Sequence, residues 1–266
     1  MNQKHHEAQK ELFNPKKSAL QKYQETIIGQ KGCWKLIKYE SIITLTGWLP
    51  GALGLFLRMK LYPKLLGKVG RNVMFGQNVV LRHPHKIFIG DNVVIDDNCV
   101  LDAKGDSNKG LFIGNGVLIG RNTILSCKNG DIHLDDHVNI GFNCEVFSAS
   151  NVSLGKNNLI AAYCYIIGGT HRMDRLDAAP LEQQRVSKGI VMEDNLWLGA
   201  GVKVMDGVTI GHDSVIGTSA VVTNDIPAYS VAVGIPARVV RNRLDDANNA
   251  EPAENASEQV IEKAVS

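Results

Sequence analysis

The chain has 266 residues with 29 Lys and Arg against 27 Asp and Glu, a net charge of +2. A charge this near neutral, with no basic stripe interleaved with aromatics, excludes a nucleic-acid-binding surface of the usual kind. With 26 Gly, 7 Phe and 3 Trp, the composition favours a turn-rich stacked architecture over an aromatic-centred globule. Five cysteines without a CxxC pair point to reduced thiols in a cytoplasmic protein.

Residues 1–68 come before any repeat and form the first expected unit. The N-terminus MNQKHHEAQK is polar and is not an ordinary secretory signal. Ser41 to Leu57 carries no charge, is interrupted by Pro50-Gly51, and is flanked by Lys31, Lys35 and Lys38 on one side and Arg58, Lys60 and Lys64 on the other. It is shorter than the roughly 20 residues of a spanning helix. Two readings stand side by side. One is an interfacial helix or broken hairpin over residues 34–66, held at the inner face of the cell membrane by its basic flanks. The other is an apolar lid on the open end of a stacked domain.

From residue 69 an apolar residue recurs every six positions. The runs are Val69, Phe75, Leu81; Ile89, Ile95, Leu101; Ile113, Ile119, Leu125; Leu134, Ile140, Val146; and Leu154, Ile160, Ile166. After a break come Met192, Leu198, Val204, Ile210, Ile216 and Val222. The step lengthens only after every third repeat, so three strand-and-turn units close one triangular coil, and every insertion leaves from one corner. About seven coils result, stacked through parallel hydrogen bonds. The fold class is an all-β solenoid over residues 69–240. The small residue four places after each apolar one also points inward, which makes Cys99, Cys144 and Cys164 core side chains. Residues 241–266, rich in Ala, Asn and Glu, read as a flexible tail.

The longest interruption, 167–190, is an excursion of the kind that carries function. His171 sits at its root, behind Gly168-Gly169, and an imidazole is the side chain suited to accept a proton near neutral pH. His83, His85 and His133 fall at coil corners, and His137 and His212 in turns. A zinc reading would need His133, His137 and His171 to converge, and their spacing does not suggest a ligand set.

The repeats, the His171 loop and the closing stretch resemble the hexapeptide-repeat acyltransferases, near the galactoside and maltose O-acetyltransferases and the acyltransferases of polysaccharide gene clusters. The resemblance covers roughly residues 69–240 and is most specific in 143–171 and 195–240; PGALGLFLR resembles the leader of the polysaccharide-cluster members. It implies a left-handed parallel β-helix, a homotrimer with sites between subunits, acetyl-CoA as co-substrate, no metal, and a sugar or glycan-precursor hydroxyl as acceptor in surface-polysaccharide synthesis. Carried over by position, His171 is the catalytic base and Asn143 helps hold the acceptor. Trp197 lies beside the pantetheine arm; Gly199, Ala200 and Thr218 line its groove. Thr223, Arg238 and Arg241 lie near the adenosine and phosphate end. One departure is Asn224, where the family often carries Lys, which leaves Arg238 and Arg241 to supply the positive charge for the phosphates. The competing functions are a γ-class carbonic-anhydrase-like zinc enzyme and a non-catalytic β-helix assembly module.

Overall fold

A computed structural model describes residues 17–245. The sixfold apolar beat becomes a parallel β-solenoid with three flat faces. Face A has seven strands: Lys68–Val69, Ile87–Ile89, Leu111–Ile113, Asp131–Leu134, Asn151–Leu154, Ile190–Met192 and Thr209–Ile210. Face C also has seven: Val80–Arg82, Val100–Asp102, Ile124–Cys127, Glu145–Ser148, Tyr165–Gly168, Lys203–Val204 and Val221–Val222. Face B has nine: Met74–Phe75, Val94–Ile95, Leu118–Ile119, Asn139–Ile140, Leu159–Ile160, Trp197–Leu198, Val215–Ile216, Ser230–Val233 and Arg238–Asn242. Seven coils are complete, and an eighth is begun by the bridge from Ile210 to Ile226. The last face B strand turns back antiparallel against Ser230–Val233, so residues 241 and 242, expected to open the tail, are strand. Residues 246–266 of the expected tail lie outside the described residues.

The interior is a column of fully buried side chains, among them Phe75, Leu81, Ile95, Leu101, Ile119, Leu125, Ile140 and Leu198. Cys99, Cys127, Cys144 and Cys164 take inward slots. Burial pushes the Cys99 thiol up to about 11 and the Cys127 thiol to about 12, as for thiols that serve as apolar filler.

The corners explain the asparagines. A hexapeptide turn needs a residue in the left-handed region, which costs an ordinary L-residue but suits Asn. Asn72, Asn78, Asn92, Asn98, Asn122, Asn143, Asn157 and Asn195 all have φ between 55° and 61°. Their amides then stack into ladders: Asn78 Nδ2 donates to Asn98 Oδ1 at 3.2 Å, and Asn157 Nδ2 to Asn195 Oδ1 at 3.0 Å. Long insertions leave only from the corner between faces C and A, as the grouping in threes requires.

Ahead of the solenoid lie α1 (Ala19–Tyr23, continued by a π-helical turn Gln24–Ile28), α2 (Cys33–Thr46) and α3 (Gly51–Leu61). They form a lid that satisfies the unpaired backbone of the first coil. Tyr39 Oη donates to the Leu81 carbonyl at 2.7 Å, and the Asn78 amide donates to the Gly47 carbonyl at 2.8 Å. Arg58, only 3% exposed, donates to the carbonyls of Phe75, Thr46 and Leu49 at 2.9, 3.0 and 2.6 Å. Tyr62 is fully buried and meets Phe75 edge-on at 5.3 Å. The inner surface of the segment is therefore the lid. Its outer surface keeps Trp34, Ile37, Leu45, Trp48, Leu53 and Phe56 exposed. No helix among the described residues is long and apolar enough to cross a membrane.

Candidate functional site

The excursion after face C strand Tyr165–Gly168 is a short antiparallel hairpin in which Thr170 faces Val186 and His171 faces Arg185. Close packing fixes its root: a Cβ on Gly168 would lie 2.6 Å from Val152 Cγ2. Ser187 Oγ lies 2.7 Å from Ser150 Oγ, 3.0 Å from the Gly168 carbonyl and 3.2 Å from Asp206 Oδ1. The Asp206 carboxylate also takes the amides of Lys188 and Gly189 at 2.9 and 3.0 Å. Further out, the buried Gln183 amide donates to the carbonyls of Arg175 and Ala178 at 2.9 and 3.2 Å. The loop is thus ordered by its own polar groups, and His171 leaves from a braced position.

His171 is half-buried, and its Nδ1 is enclosed with no hydrogen-bond partner. Of the carboxylates near it in the fold or the sequence, neither Glu145 nor Asp174 bonds this ring. Asp174 is held by Arg172 at 2.6 Å. What places His171 is its backbone, paired with Arg185 across the hairpin. Next to it, Phe147 points outward from face C with Lys128 Nζ 4.8 Å and Arg185 Cζ 5.7 Å from its ring centre. These three side chains escaped sequence reasoning because residues 128, 147 and 185 belong to different repeats and carry no shared motif.

The residues carried over for coenzyme A fall largely on one strip. Trp197, 53% exposed, pairs with Val215; Val215 pairs with Val231, and Val231 with Arg241, all in one row down face B. At roughly 4.8 Å per strand, Trp197 and Arg241 stand about 14 Å apart. Arg238 lies on the same last strand, opposite Val233. Gly199, Ala200 and Thr218 line the adjoining corner between faces B and C. A Cβ on Gly199 would come within 2.7 Å of the Thr218 amide nitrogen, so glycine lets the two coils stack closely at this corner.

Two residues stand apart from that strip. Thr223 follows face C strand Val221–Val222 at the C–A corner, where Asn224 Nδ2 donates to its hydroxyl at 3.2 Å. Asn143 is a left-handed turn residue on the B–C corner, and its Oδ1 accepts from Asn122 Nδ2 at 3.0 Å. His171 is separated from the strip by the full width of face C. Within one chain the imidazole and the strip do not meet.

The other histidines have structural places. His83 adopts the left-handed conformation and holds the lid, its Nε2 2.9 Å from the Glu25 carbonyl. His133, expected at a corner, is instead within face A strand Asp131–Leu134, where a flat outward position lets it stack on Phe112 at 4.6 Å. His137 takes a turn with φ 62°. These two and His171 do not converge, and among the described residues no group of three or more His, Cys, Asp or Glu is placed to hold a metal ion.

Comparison with known proteins agrees with the repeat architecture. The description "Bacterial transferase hexapeptide (six repeats)" matches residues 189–224, and "Hexapeptide repeat of succinyl-transferase" matches residues 68–103. A Mycobacterium tuberculosis protein bearing an acetyltransferase name is 38% identical over 115 residues, 43% of this chain and 38% of that one. A Staphylococcus aureus protein, likewise carrying an acetyltransferase name, is 33% identical over 144 residues, 47% of this chain and 70% of that one. The chain spans 38% and 53% of the length of the relatives from Mycobacterium tuberculosis and Schizosaccharomyces pombe. In fold, the polysialic acid O-acetyltransferase OatWY superposes with a TM-score of 0.51 at 22% identity, covering 66% of this chain and 82% of that one. A mutant of AntD, an N-acyltransferase from Bacillus cereus in complex with dTDP and coenzyme A, superposes at 0.50 with 19% identity, covering 78% and 96%. By its repeats, its solenoid and these relatives, the chain belongs to the hexapeptide-repeat acetyltransferase family.

Proposed function

We propose that this protein transfers an acetyl group from acetyl-CoA to a hydroxyl of a sugar or glycan precursor, in the making of a surface polysaccharide. The observation that carries the reading is the braced hairpin that presents His171 at the edge of a solenoid of this family. With Nδ1 enclosed, Nε2 is the nitrogen an acceptor hydroxyl reaches. It takes the hydroxyl proton as the oxygen attacks the thioester carbonyl. Backbone amides at the Gly199–Thr218 corner are the donors for the oxyanion and for the pantetheine amides. The thiolate of coenzyme A leaves, and no covalent enzyme intermediate is needed. Arg238 and Arg241 supply positive charge toward the phosphate end. We assign Asn143 to the acceptor side and Thr223 to the nucleotide side.

These roles require more than one chain. The His171 hairpin and the Trp197–Arg241 strip lie on opposite borders of face C, so a complete site forms when the C–A corner of one copy meets the B–C corner of the next. A heterologous contact of this kind closes into a ring, here a homotrimer. His171→Ala is expected to lower coenzyme A release by at least about a hundredfold, the range of a positioned base, with acetyl-CoA binding by calorimetry unchanged. Near-normal turnover would remove His171 from the chemistry.

The outer surface of the lid adds a peripheral membrane contact to the reading. Trp34, Ile37, Leu45 and Trp48 repeat at helical spacing along the exposed side of α2 and its end, Leu53 and Phe56 extend the patch on α3, and Lys31, Lys35, Lys60 and Lys64 border it. Aromatic anchors with a lysine rim suit an anionic lipid surface. The full-length protein is expected to float with phosphatidylglycerol-containing vesicles and not with pure phosphatidylcholine. The Trp34→Ser, Trp48→Ser double variant, altered only at exposed positions, is expected to stay behind. Equal flotation of that variant would end the proposal.

A further inference from the structure

We infer that Lys128 and Arg185, gathered around the Phe147 ring beside His171, form a subsite for an anionic group on the acceptor, a carboxylate or a phosphate borne by the sugar. The inference rests on the acyl-transfer reading and names the substrate class it takes.

The geometry draws three separate repeats together. Phe147 projects from face C strand Glu145–Ser148, on a register line with Ser126 and Ile167. Lys128 reaches its ring from the coil before, with Nζ 4.8 Å from the centre. Arg185 reaches it from the returning arm of the hairpin at 5.7 Å, directly opposite His171. Among the described residues neither cation has an ion pair or a side-chain hydrogen bond. Two positive groups sharing one phenyl ring repel each other, and burial together with the charges of Arg185 and Lys104 holds the Lys128 ammonium below its ordinary value. Asp102 and Glu145 oppose this only at a distance. Asp102 is already engaged, 3.7 Å from Arg82 and bonded by the Lys104 amide at 3.0 Å. Two cations that converge on one ring, with no carboxylate of the described residues paired to either, suit an anionic group.

The position along the solenoid selects the acceptor over coenzyme A. Lys128 and Phe147 lie on coils N-terminal to the His171 rung. The Trp197–Arg241 strip runs C-terminal from it. An acceptor whose hydroxyl meets Nε2 of His171 therefore extends its ring substituents toward Lys128 and Arg185, and the nucleotide of coenzyme A extends the other way.

The test uses the full-length protein, its Lys128→Gln, Arg185→Gln double variant, and three probes: an oligosaccharide of hexuronate units, UDP-glucose, and a neutral glucose oligosaccharide. Coenzyme A release and equilibrium binding are both read. Wild-type protein is expected to favour at least one anionic probe over the neutral one by tenfold or more in kcat/KM. The double variant is expected to lose that preference through KM, with the KM for acetyl-CoA unchanged. Preference for the hexuronate identifies a carboxylate, and preference for UDP-glucose a phosphate. Equal use of charged and neutral probes, or a preference that survives the double substitution, overturns the inference, as does a rise confined to the acetyl-CoA KM. Binding separates it from the chemistry it rests on. Salt-sensitive binding of an anionic probe that the double variant loses supports the subsite even if no acceptor is acetylated. Absence of binding of both anions sinks it whatever the turnover.

Discussion

The asparagine ladders show what one side chain contributes to a solenoid. Asn98 holds φ at 59° and accepts from Asn78, so it relieves backbone strain and links two coils at once. Alanine keeps neither function. Asn98→Ala is expected to cost about 1–2 kcal/mol, the price of a left-handed L-residue. At about 2–4 °C per kcal/mol for a chain of this size, differential scanning calorimetry would register the loss, and Asn98→Gly should recover most of it. The same property cuts against reading every corner asparagine as functional. Asn143 has the ladder geometry of its seven counterparts, and a role in acceptor binding would have to come from its remaining amide protons.

Among the elements, the lid has the most particular chemistry. It is joined to the first coil through His83, whose ring sits against Gly29 and the Glu25 carbonyl. Burial, with smaller contributions from Lys86 and Lys104, lowers the affinity of His83 for a proton; burial likewise lowers that of His85. A depressed imidazole favours the neutral folded form, so its stabilising effect is complete above the unfolded value of about 6.5 and is lost as pH falls below it. The unfolding midpoint should therefore drop between pH 7.5 and pH 5.5. His83→Asn, which tolerates the φ of 49° at this position, should show a shallower drop, and comparing the two proteins cancels the carboxylates they share. Identical pH slopes would take His83 out of lid docking. The hairpin at 170–186 is organised differently. Its bonds run to Asp206, Ser150 and Gln183, none of which the sequence pattern marks, because each is an ordinary polar residue until the coils stack.

For the whole molecule, the separation of His171 from the Trp197–Arg241 strip has a direct consequence for assembly. If the site is shared, His171→Ala and Ala200→Trp are each inactive alone but complementary together, since Ala200 is exposed on the corner strip and a bulky side chain there blocks the groove. Random co-assembly of equal amounts leaves one intact interface in each mixed trimer, so about a quarter of wild-type activity is expected to return. No recovery from co-expressed, co-purified chains would place the complete site within a single copy.

The sixfold beat, its bundling by threes and the turn residues at each corner determined the solenoid, its inward-facing cysteines and the single exit for insertions. They could do so because each coil contacts only its neighbours, so local periodicity is the fold. The hand of the coil came with the family resemblance, since a period has no chirality. The sequence also showed His171 as the imidazole at the root of the long excursion. Tertiary structure alone decided the rest. It turned the apolar 41–57 segment into a lid with its second surface left open, and placed His133 in a strand against Phe112. It brought Lys128, Phe147 and Arg185 to one point and set face C between the imidazole and the strip. Those are relations between residues tens of positions apart, fixed by coil register and hairpin packing, and no repeat pattern encodes them.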